Sequence, residues 1–227
     1  MNGPKLMSIE ELPVNCPRCL KIPELCVCEF IAPQTTKPHV LILQHPQEPD
    51  KDLGSAQLAH LALPNSTLKI GLSWPNLSKA LGREVQAARW AVLYLGSGMK
   101  SGSINAGLHF VSKKGEELPE KESQAVLKSL EGIVVLDGTW TQAKALWWRN
   151  AWLLKLKRAI LVPSHPSMYR ELRKEPRREC LSTIETIAES LRGMGEPKES
   201  TDSLVRLFSK LLEKQRARVK ETRQKKE

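Results

Sequence analysis

Residues 134–143 have the sequence VVLDGTWTQA, in which a short apolar run is followed by a break and by the start of a helix. The run 134–136 is apolar and contains two β-branched residues, which predicts a buried strand. Thr139 and Gln142 have the spacing of a capping box, so we expect a helix to begin there. Asp137 then lies between the carboxyl end of a strand and a helix N-terminus, where α/β proteins bind ligands and an anion is favoured. An ordinary strand-to-helix turn would explain Asp and Gly equally well.

The same periodicity predicts the secondary structure of the rest of the chain. We expect strands at residues 39–44, 67–72, 90–95, 133–136 and 158–162. We expect helices at residues 55–63, 76–81, 122–130, 139–154, 182–193 and 201–219. The buried face predicted for the helix at 139–154 comprises Trp140, Ala143, Trp147, Ala151 and Leu154. This alternation predicts an α/β fold with a mostly parallel sheet flanked by helices.

The length and composition bound the class of protein. A chain of 227 residues suits one α/β domain with an appendage, or two small domains. Apolar residues make up 41% of it, as is usual for a soluble protein. No run of about 18 apolar residues predicts a membrane span, and the N-terminus has no signal-peptide pattern. We therefore expect a cytoplasmic protein without membrane contact.

The positive charge is concentrated in two segments. Residues 155–178 carry eight Lys or Arg and two Glu, and residues 206–227 carry nine Lys or Arg and three Glu. Their combined charge of +12 exceeds the +10 of the whole chain, so the remainder is slightly acidic. Localised positive charge favours a polyanionic partner, most simply the backbone of an RNA. A solvated basic tail is the alternative.

Four of the five cysteines lie within thirteen residues, in the pattern C-x2-C-x6-C-x-C. Clustered thiolates in a cytosolic protein indicate a metal site rather than disulfides, and four sulfur ligands suit tetrahedral zinc with a structural role. Arg18 and Lys21 would offset the negative charge of such a cluster. Reducible thiols or an oxidised loop are the alternative. The predicted zinc ligands are Cys16, Cys19, Cys26 and Cys28.

Two further stretches contain functional signals. Residues 96–102 have the spacing G-x-G-x-x-x-G, which lacks the dinucleotide-binding fingerprint. This loop either contacts a ligand or turns the chain. Ser182 and Glu185 form a second capping box, so a second helix N-terminus is expected there.

These motifs resemble those of the DTW-domain proteins. The resemblance rests on Asp137-Gly138-Thr139-Trp140, on the cysteine pattern, and on residues 180–185 (CLSTIE) preceded by an Arg-Lys-Glu-Pro run; it covers about residues 15–215. It implies a SPOUT-like, knotted α/β fold with a small N-terminal four-cysteine zinc module. The implied organisation is a zinc-binding segment at 1–36, a catalytic domain at 37–219 and a basic tail at 220–227.

The resemblance also implies an activity. Proteins of this family are tRNA-uridine aminocarboxypropyltransferases, which transfer the 3-amino-3-carboxypropyl group from S-adenosylmethionine to N3 of a uridine in tRNA and release 5′-methylthioadenosine. Asp137 would be the general base or would orient the uridine N3–H. The residues expected at the donor are Leu95, Gly96, Ser97, Leu136, Gly138, Thr139, Trp140, Leu181, Ser182 and Thr183. The residues expected at tRNA phosphates are Arg170, Arg173, Lys174, Arg177 and Arg178.

Alternatives remain open at the sequence level. A SPOUT-type RNA methyltransferase would have the same fold and the same donor. A non-catalytic zinc-containing RNA-binding module would have the same localised positive charge. Trp140 is otherwise a core residue, and Ser182 and Glu185 otherwise serve only as a cap. Cys180 is expected to be a small buried residue rather than a nucleophile, because no activating His is near it in sequence.

Overall fold

The computed structural model describes residues 15–93, 105–169, 172 and 181–224. The strands in these residues are β1 (His39–Gln44), β2 (Ser66–Ile70), β3 (Trp90–Leu93), β4 (Gly107–Val111), β5 (Gly132–Asp137) and β6 (Lys157–Val162). The α-helices are α1 (Ala56–Ala62), α2 (Leu77–Leu81), α3 (Glu120–Ser129), α4 (Trp140–Arg149), α5 (Thr183–Gly193) and α6 (Lys198–Gln224). Every predicted strand and helix is therefore present; β1 has the predicted ends, most of the other ends are shifted, and residues 94–95 of the predicted third strand lie outside the described ranges.

The strands form one sheet in the order β2-β1-β5-β3-β6-β4. β5 lies in the middle and pairs in parallel with β1 and β3, and the β1–β2 and β3–β6 pairs are parallel as well. The edge strand β4 is antiparallel to β6 and was not predicted. The mostly parallel sheet is thus confirmed. The knot stays a prediction, because the connections after β3 and before α5 include residues outside the described ranges.

Each face of the sheet is covered by its own layer of helices. The alternating side chains of β1 show this directly: Val40 and Ile42 pack with α1, α5 and α6, whereas Leu41 and Leu43 pack with α2 and α4. Gly132 at the start of β5 is required by this packing. A Cβ there would clash with the His39 carbonyl oxygen and lie 2.7 Å from the Trp90 ring.

The helix that follows Asp137 is shorter than predicted. α4 ends at Arg149, and residues 151–155 form a 3-10 helix. Asn150 ends it, because its buried amide donates to the carbonyl oxygens of Leu72 and Leu146 and accepts from the Trp74 N–H. The change of helix type rotates the later residues. The predicted buried positions Ala151 and Leu154 are therefore exposed, and Trp152 and Leu153 are buried instead.

The C-terminal helix is longer than predicted and supports the cysteine segment. α6 extends to Gln224, so the charged residues 220–224 continue the helix. Its predicted inward residues, Leu204, Leu207, Phe208, Leu211 and Leu212, are all buried. Cys19, Leu25 and Val27 of the N-terminal segment belong to the same apolar cluster. Among the described residues, no helix is long and apolar enough to cross a membrane.

Candidate active site

Asp137 is the last residue of the central strand, and its carboxylate is held from two sides. In the parallel register, Gln44 at the end of β1 lies opposite Asp137. Gln44 Nε2 donates to Asp137 Oδ2 at 2.8 Å, and the Thr183 hydroxyl donates to Oδ1. The carboxylate is 7% exposed. A buried carboxylate fixed by one donor on each oxygen is oriented for a specific contact.

Two helices begin beside this carboxylate, as their capping boxes predicted. Thr139 and Gln142 form the complete box of α4, and Ser182 and Glu185 form that of α5. Thr183, the first residue of α5, brings the second box to Asp137. The structure thus brings Asp137, Thr139 and Thr183 together from the predicted set. The positive ends of two helix dipoles favour an anion between them.

The cap of α5 also has a structural role. The fully buried Glu185 carboxylate accepts hydrogen bonds from the backbone and side chain of Ser182, from the Ser167 hydroxyl and from the Met168 N–H. The Ile184 N–H donates to the Ser55 hydroxyl at 3.1 Å. Among the described residues, the Thr183 N–H has no hydrogen-bond partner in this first turn. Thr183 is therefore the residue of α5 best placed to donate to a ligand.

Gly138 and Leu136 shape the turn around Asp137. A Cβ at Gly138 would lie 2.9 Å from the Gln142 Cβ, so only glycine allows α4 to start this close to the strand. Leu136 is half-buried and packs against the core on the α4 side. Trp140 is also half-buried, and Lys144 Nζ lies 5.5 Å from the centre of its ring. Trp140 therefore borders the site and is not a fully buried core residue.

A loop that the sequence did not single out covers the carboxyl edge of the sheet. Residues 45–55 connect β1 to α1, and the His45 N–H donates to the Asp137 carbonyl oxygen at 2.9 Å. Together with Thr139, this loop lines a cleft of about 190 Å³ through Glu48, Lys51, Asp52 and Leu53. The position of this loop at the carboxyl end of a parallel strand is the sequence feature that could have identified it as part of the site.

Lys21 is a further residue of the site; the sequence predicted only that it offsets the charge of the cysteine cluster. Although it lies between the cysteines, its side chain is buried and its Nζ donates to the Lys51 carbonyl oxygen at 2.5 Å. Burial lowers the pKa of Lys21 to about 8, and the nearby charges of Cys19, Asp52 and Asp137 partly offset this. The cysteine segment therefore supports the loop that lines the cleft.

The four cysteines form a compact cluster, as predicted. Their sulfur atoms lie within 4.8 Å of one another, with Cys16–Cys28 and Cys19–Cys26 separations of 3.7 Å. Leu20 adopts a left-handed backbone conformation (φ 61°), which turns the chain around the first pair. The N–H groups of Cys19 and Arg18 lower the pKa of Cys16 to about 6, whereas burial raises the pKa values of Cys19 and Cys28.

This geometry fits a four-sulfur zinc site. A tetrahedron with Zn–S bonds of roughly 2.3 Å has S–S edges of about 3.8 Å, close to the observed separations. The cluster is joined to α6 by Lys214, which donates to the Cys26 carbonyl oxygen and pairs with Glu29 at 3.3 Å. The residues present therefore suit a structural metal that fastens the segment to the domain.

Some predicted site residues lie outside the described ranges. These are Leu95, Gly96 and Ser97 of the proposed donor site, Cys180, and the proposed tRNA contacts Arg170, Arg173, Lys174, Arg177 and Arg178. Leu181 and Ser182 are described and lie at the start of α5. Of the second basic segment, Arg218 pairs with Asp52 of the cleft loop at 2.7 Å.

The family of the chain follows from comparison with known proteins. The model of the DTW domain matches residues 14–216, which includes the cysteine cluster, the Asp137 turn and both capped helices. The chain belongs to the DTW domain family. No solved structure matches this DTW domain chain.

The relatives of this DTW domain protein include three named tRNA-uridine aminocarboxypropyltransferase 2. That of Macaca fascicularis is 30% identical over 193 residues, which are 80% of this chain and 59% of the relative. That of Mus musculus is 29% identical over 184 residues, which are 78% of this chain and 55% of the relative. That of Drosophila melanogaster is 28% identical over 198 residues, which are 85% of this chain and 71% of the relative. The chain thus spans less than two thirds of the two mammalian relatives.

Proposed function

We propose that this DTW domain protein transfers the 3-amino-3-carboxypropyl group of S-adenosylmethionine to N3 of a uridine in tRNA. The observation that carries the proposal is the Asp137 carboxylate, held by Gln44 and Thr183 at the start of two capped helices in a DTW domain. The names of the relatives supply the reaction class. The SPOUT-like, knotted arrangement of the fold is part of the same proposal.

The transfer is a displacement at carbon. Uridine N3 forms a bond to the Cγ of the methionine portion, the Cγ–S bond breaks, and its electron pair leaves with 5′-methylthioadenosine as a neutral thioether. The N3 proton passes to a base, because neutral N3 is a weak nucleophile. The charges balance without a metal at the reacting atoms, which leaves the cysteine cluster a structural role.

Asp137 is the proposed acceptor of the N3 proton, or the group that aligns N3–H with the donor carbon. One of its oxygens accepts a hydrogen bond from Gln44, and the other accepts one from Thr183. Gln44 and Thr183 fix the plane of the carboxylate before substrate arrives. Such preorganisation places the proton acceptor without a reorientation during the reaction.

The surroundings of Asp137 suit the charges of the donor. Its methionine portion carries an ammonium, a sulfonium and a carboxylate. Glu48 and Asp52 in the cleft complement the cations, and the Thr183 N–H at the start of α5 suits the carboxylate. The cleft of about 190 Å³ is smaller than a ligand pocket of roughly 300 Å³ or more, so it suits one portion of the donor.

The tRNA is proposed to bind through the basic segments, with Arg170, Arg173, Lys174, Arg177 and Arg178 at its phosphates. The target uridine must be unpaired, because N3 is used in base pairing and is inaccessible in a helix. Zinc held by the four cysteines would fasten the N-terminal segment, and through Lys21 it would support the cleft loop.

Nucleoside mass spectrometry of tRNA incubated with the protein and the donor tests the proposal. We expect a uridine that is heavier by one aminocarboxypropyl group, with 5′-methylthioadenosine as the by-product. A methylated nucleoside with S-adenosylhomocysteine would instead establish an RNA methyltransferase. Absence of donor binding by calorimetry, with tRNA binding retained, would establish a non-catalytic RNA-binding module.

A further inference from the structure

Helix α4 carries two indoles and a lysine along one side. Trp140, Lys144 and Trp148 are spaced by four residues, which places them on one face of the helix. Lys144 Nζ lies 5.5 Å from the centre of the Trp140 ring. The exposed fraction of Trp148 is 77%. We call these three residues the α4 stripe; it begins three residues after Asp137.

Packing does not account for Trp148. The buried side of α4 is formed by Ala143, Leu146 and Trp147, on the opposite side from Trp148. Trp90 and Trp152 show the usual behaviour of tryptophan, with exposed fractions of 0% and 7%. A large aromatic side chain left in water adds nothing to the core, and exposed aromatic surface marks binding sites.

Two further exposed apolar side chains lie in the segment that follows β2. The segment after β2 is joined to the end of α4, where the Ser73 hydroxyl donates to the Arg149 carbonyl oxygen at 3.0 Å. Ile70 and Leu72 in this segment have exposed fractions of 49% and 36%. The Gly71 N–H donates to the carbonyl oxygen of Gln44, the residue that holds Asp137. This segment is therefore joined to the end of α4 and also reaches the edge of the sheet that contains the site.

The charges on α4 indicate which class of partner the stripe would bind. Residues 138–150, which include α4, contain the two cations Lys144 and Arg149 and no Asp or Glu. Aromatic rings interleaved with cations complement flat bases on a phosphate backbone. A paired RNA helix hides its bases, so the complementary partner is unpaired RNA.

We propose that the α4 stripe binds unpaired bases of the tRNA next to the target uridine, with Trp148 stacking on one of them. The two indoles lie about 12 Å apart along the helix axis, a distance that a few nucleotides span. Lys144 and Arg149 would contact the phosphates between them. This inference rests on the proposed function, because it assigns a surface to the same RNA substrate.

The test measures binding of a labelled oligouridylate and of a blunt RNA duplex to the full chain. Trp148→Ala should weaken oligouridylate binding about tenfold, as loss of one stacked base does. Trp148→Phe should retain most of the affinity, because it keeps a ring. Leu154→Ala, which removes an apolar side chain that is 44% exposed, is the matched control and should change nothing. Duplex binding should be the same in all variants.

The outcomes separate this inference from the proposed function. Equal oligouridylate affinities for Trp148→Ala and Leu154→Ala would overturn the proposal that the α4 stripe binds unpaired bases, even if the transfer reaction is observed. Equal losses on oligouridylate and duplex would also overturn it, since they would indicate a general loss of charge or fold. A loss of oligouridylate affinity in Trp148→Ala that spares duplex binding and is absent in Trp148→Phe would establish the stripe as a binding surface for unpaired bases. This holds even if the wild-type protein forms no aminocarboxypropyl uridine.

Discussion

Gln44 and Asp137 are separated by 93 residues in the chain, yet the Gln44 amide donates to the Asp137 carboxylate at 2.8 Å. They meet because β1 and β5 are parallel neighbours that end at the same level. The hydrogen bond fixes the carboxylate against the sheet, and Thr183 fixes it from the side of α5. Any role of Asp137 in proton transfer therefore depends on three separate parts of the chain.

Asp137→Asn should lower the rate of transfer by roughly a hundredfold or more, as removal of a general base does. The fold should persist, because an Asn carbonyl can accept from Gln44 while its amide donates to the Thr183 hydroxyl. Donor and tRNA affinities should change much less, since the lost interaction belongs to the transition state. Single-turnover rates, with calorimetry for the donor, measure both quantities.

Two results would contradict this assignment of Asp137. Near-normal turnover would make the residue structural and place the base elsewhere. Collapse of donor binding with an intact fold would make Asp137 a positioning residue for the methionine portion. Thr183→Val and Thr183→Ser form a matched pair: if orientation of the carboxylate matters, Val should lower the rate and Ser should largely restore it.

Lys21→Met should weaken donor binding while leaving the metal content unchanged. The variant removes the charged donor to the Lys51 carbonyl oxygen, so the loop that lines the cleft loses its support from the cysteine segment. Loss of a hydrogen bond to a charged group predicts an increase of about tenfold or more in the KM for the donor. Steady-state kinetics and metal analysis check both parts.

The control for Lys21 is Arg18→Met, which removes an exposed cation from the same turn. Lys21→Arg keeps the donor and should recover part of the affinity. If Lys21→Met and Arg18→Met behave alike, the effect is one of general charge and the support of the loop is unimportant. A fall in kcat without a change in KM would also exclude the proposed role.

Local signals in the sequence were sufficient for some parts of the site. The capping residues Thr139 and Ser182 act on their own helices, and β5 is apolar from Ile133 to Leu136, so short-range patterns predicted the helix starts and the strand. The contacts that Gln44 and Lys21 make in the site were missed because their partners, Asp137 and Lys51, are distant in sequence. Only the strand order and the packing of the cysteine segment bring these pairs together.

The prediction that the helix at Thr139 extends to residue 154 was wrong for the same reason, a contact between residues that are distant in sequence. Helical periodicity continues past Arg149, and no glycine or proline marks the end. Asn150 ends the helix through hydrogen bonds to Leu72 and Trp74, which belong to the segment after β2. The tertiary contact therefore outweighs the local preference, and it is also what exposes Leu154.

Protein purified without added zinc should contain about one equivalent of zinc per chain, as a four-thiolate site predicts. Cys19→Ser should abolish binding and lower the melting temperature, because Cys19 is fully buried in the main apolar cluster. Cys180→Ser, which removes the one cysteine outside the motif, is the control and should retain the metal. Less than a few tenths of an equivalent, without gain on adding zinc, would exclude the site.

Two half-buried histidines, His39 and His60, should make the folded state less stable in mild acid. Burial lowers the pKa of His39, with Arg83 and His60 opposing its protonation, and burial lowers that of His60. The unfolded chain then binds more protons below about pH 6.5. This part of the stability is present above that pH and is lost as the pH falls through it.

Thermal unfolding at pH 7.5 and pH 5.5 measures this effect. The melting temperature of the wild type should fall by a few degrees more than that of a variant carrying His39→Gln and His60→Gln. Zinc ligation is common to both proteins, so the difference isolates the histidines. An equal fall in the double variant would contradict the prediction.

The end of α6 should contribute to tRNA binding in two separable ways. Deleting residues 220–227 removes four Lys or Arg and should weaken tRNA binding while lowering its salt dependence, because fewer counterions are released. Deleting residues 216–227 also removes Arg218, which pairs with Asp52 in the cleft loop at 2.7 Å. The longer deletion should therefore weaken donor binding as well.

Titrations with tRNA at two salt concentrations, and with the donor alone, distinguish these effects. Arg218→Met in the full chain is the matched control, and it should reproduce the loss of donor affinity without the full loss of tRNA affinity. If the deletion of 220–227 leaves tRNA affinity unchanged at both salt concentrations, the tail has no role, and Arg170, Arg173, Lys174, Arg177 and Arg178 remain as the phosphate contacts to test. If Arg218→Met leaves donor affinity unchanged, the pair with Asp52 is a surface ion pair of the kind that contributes little.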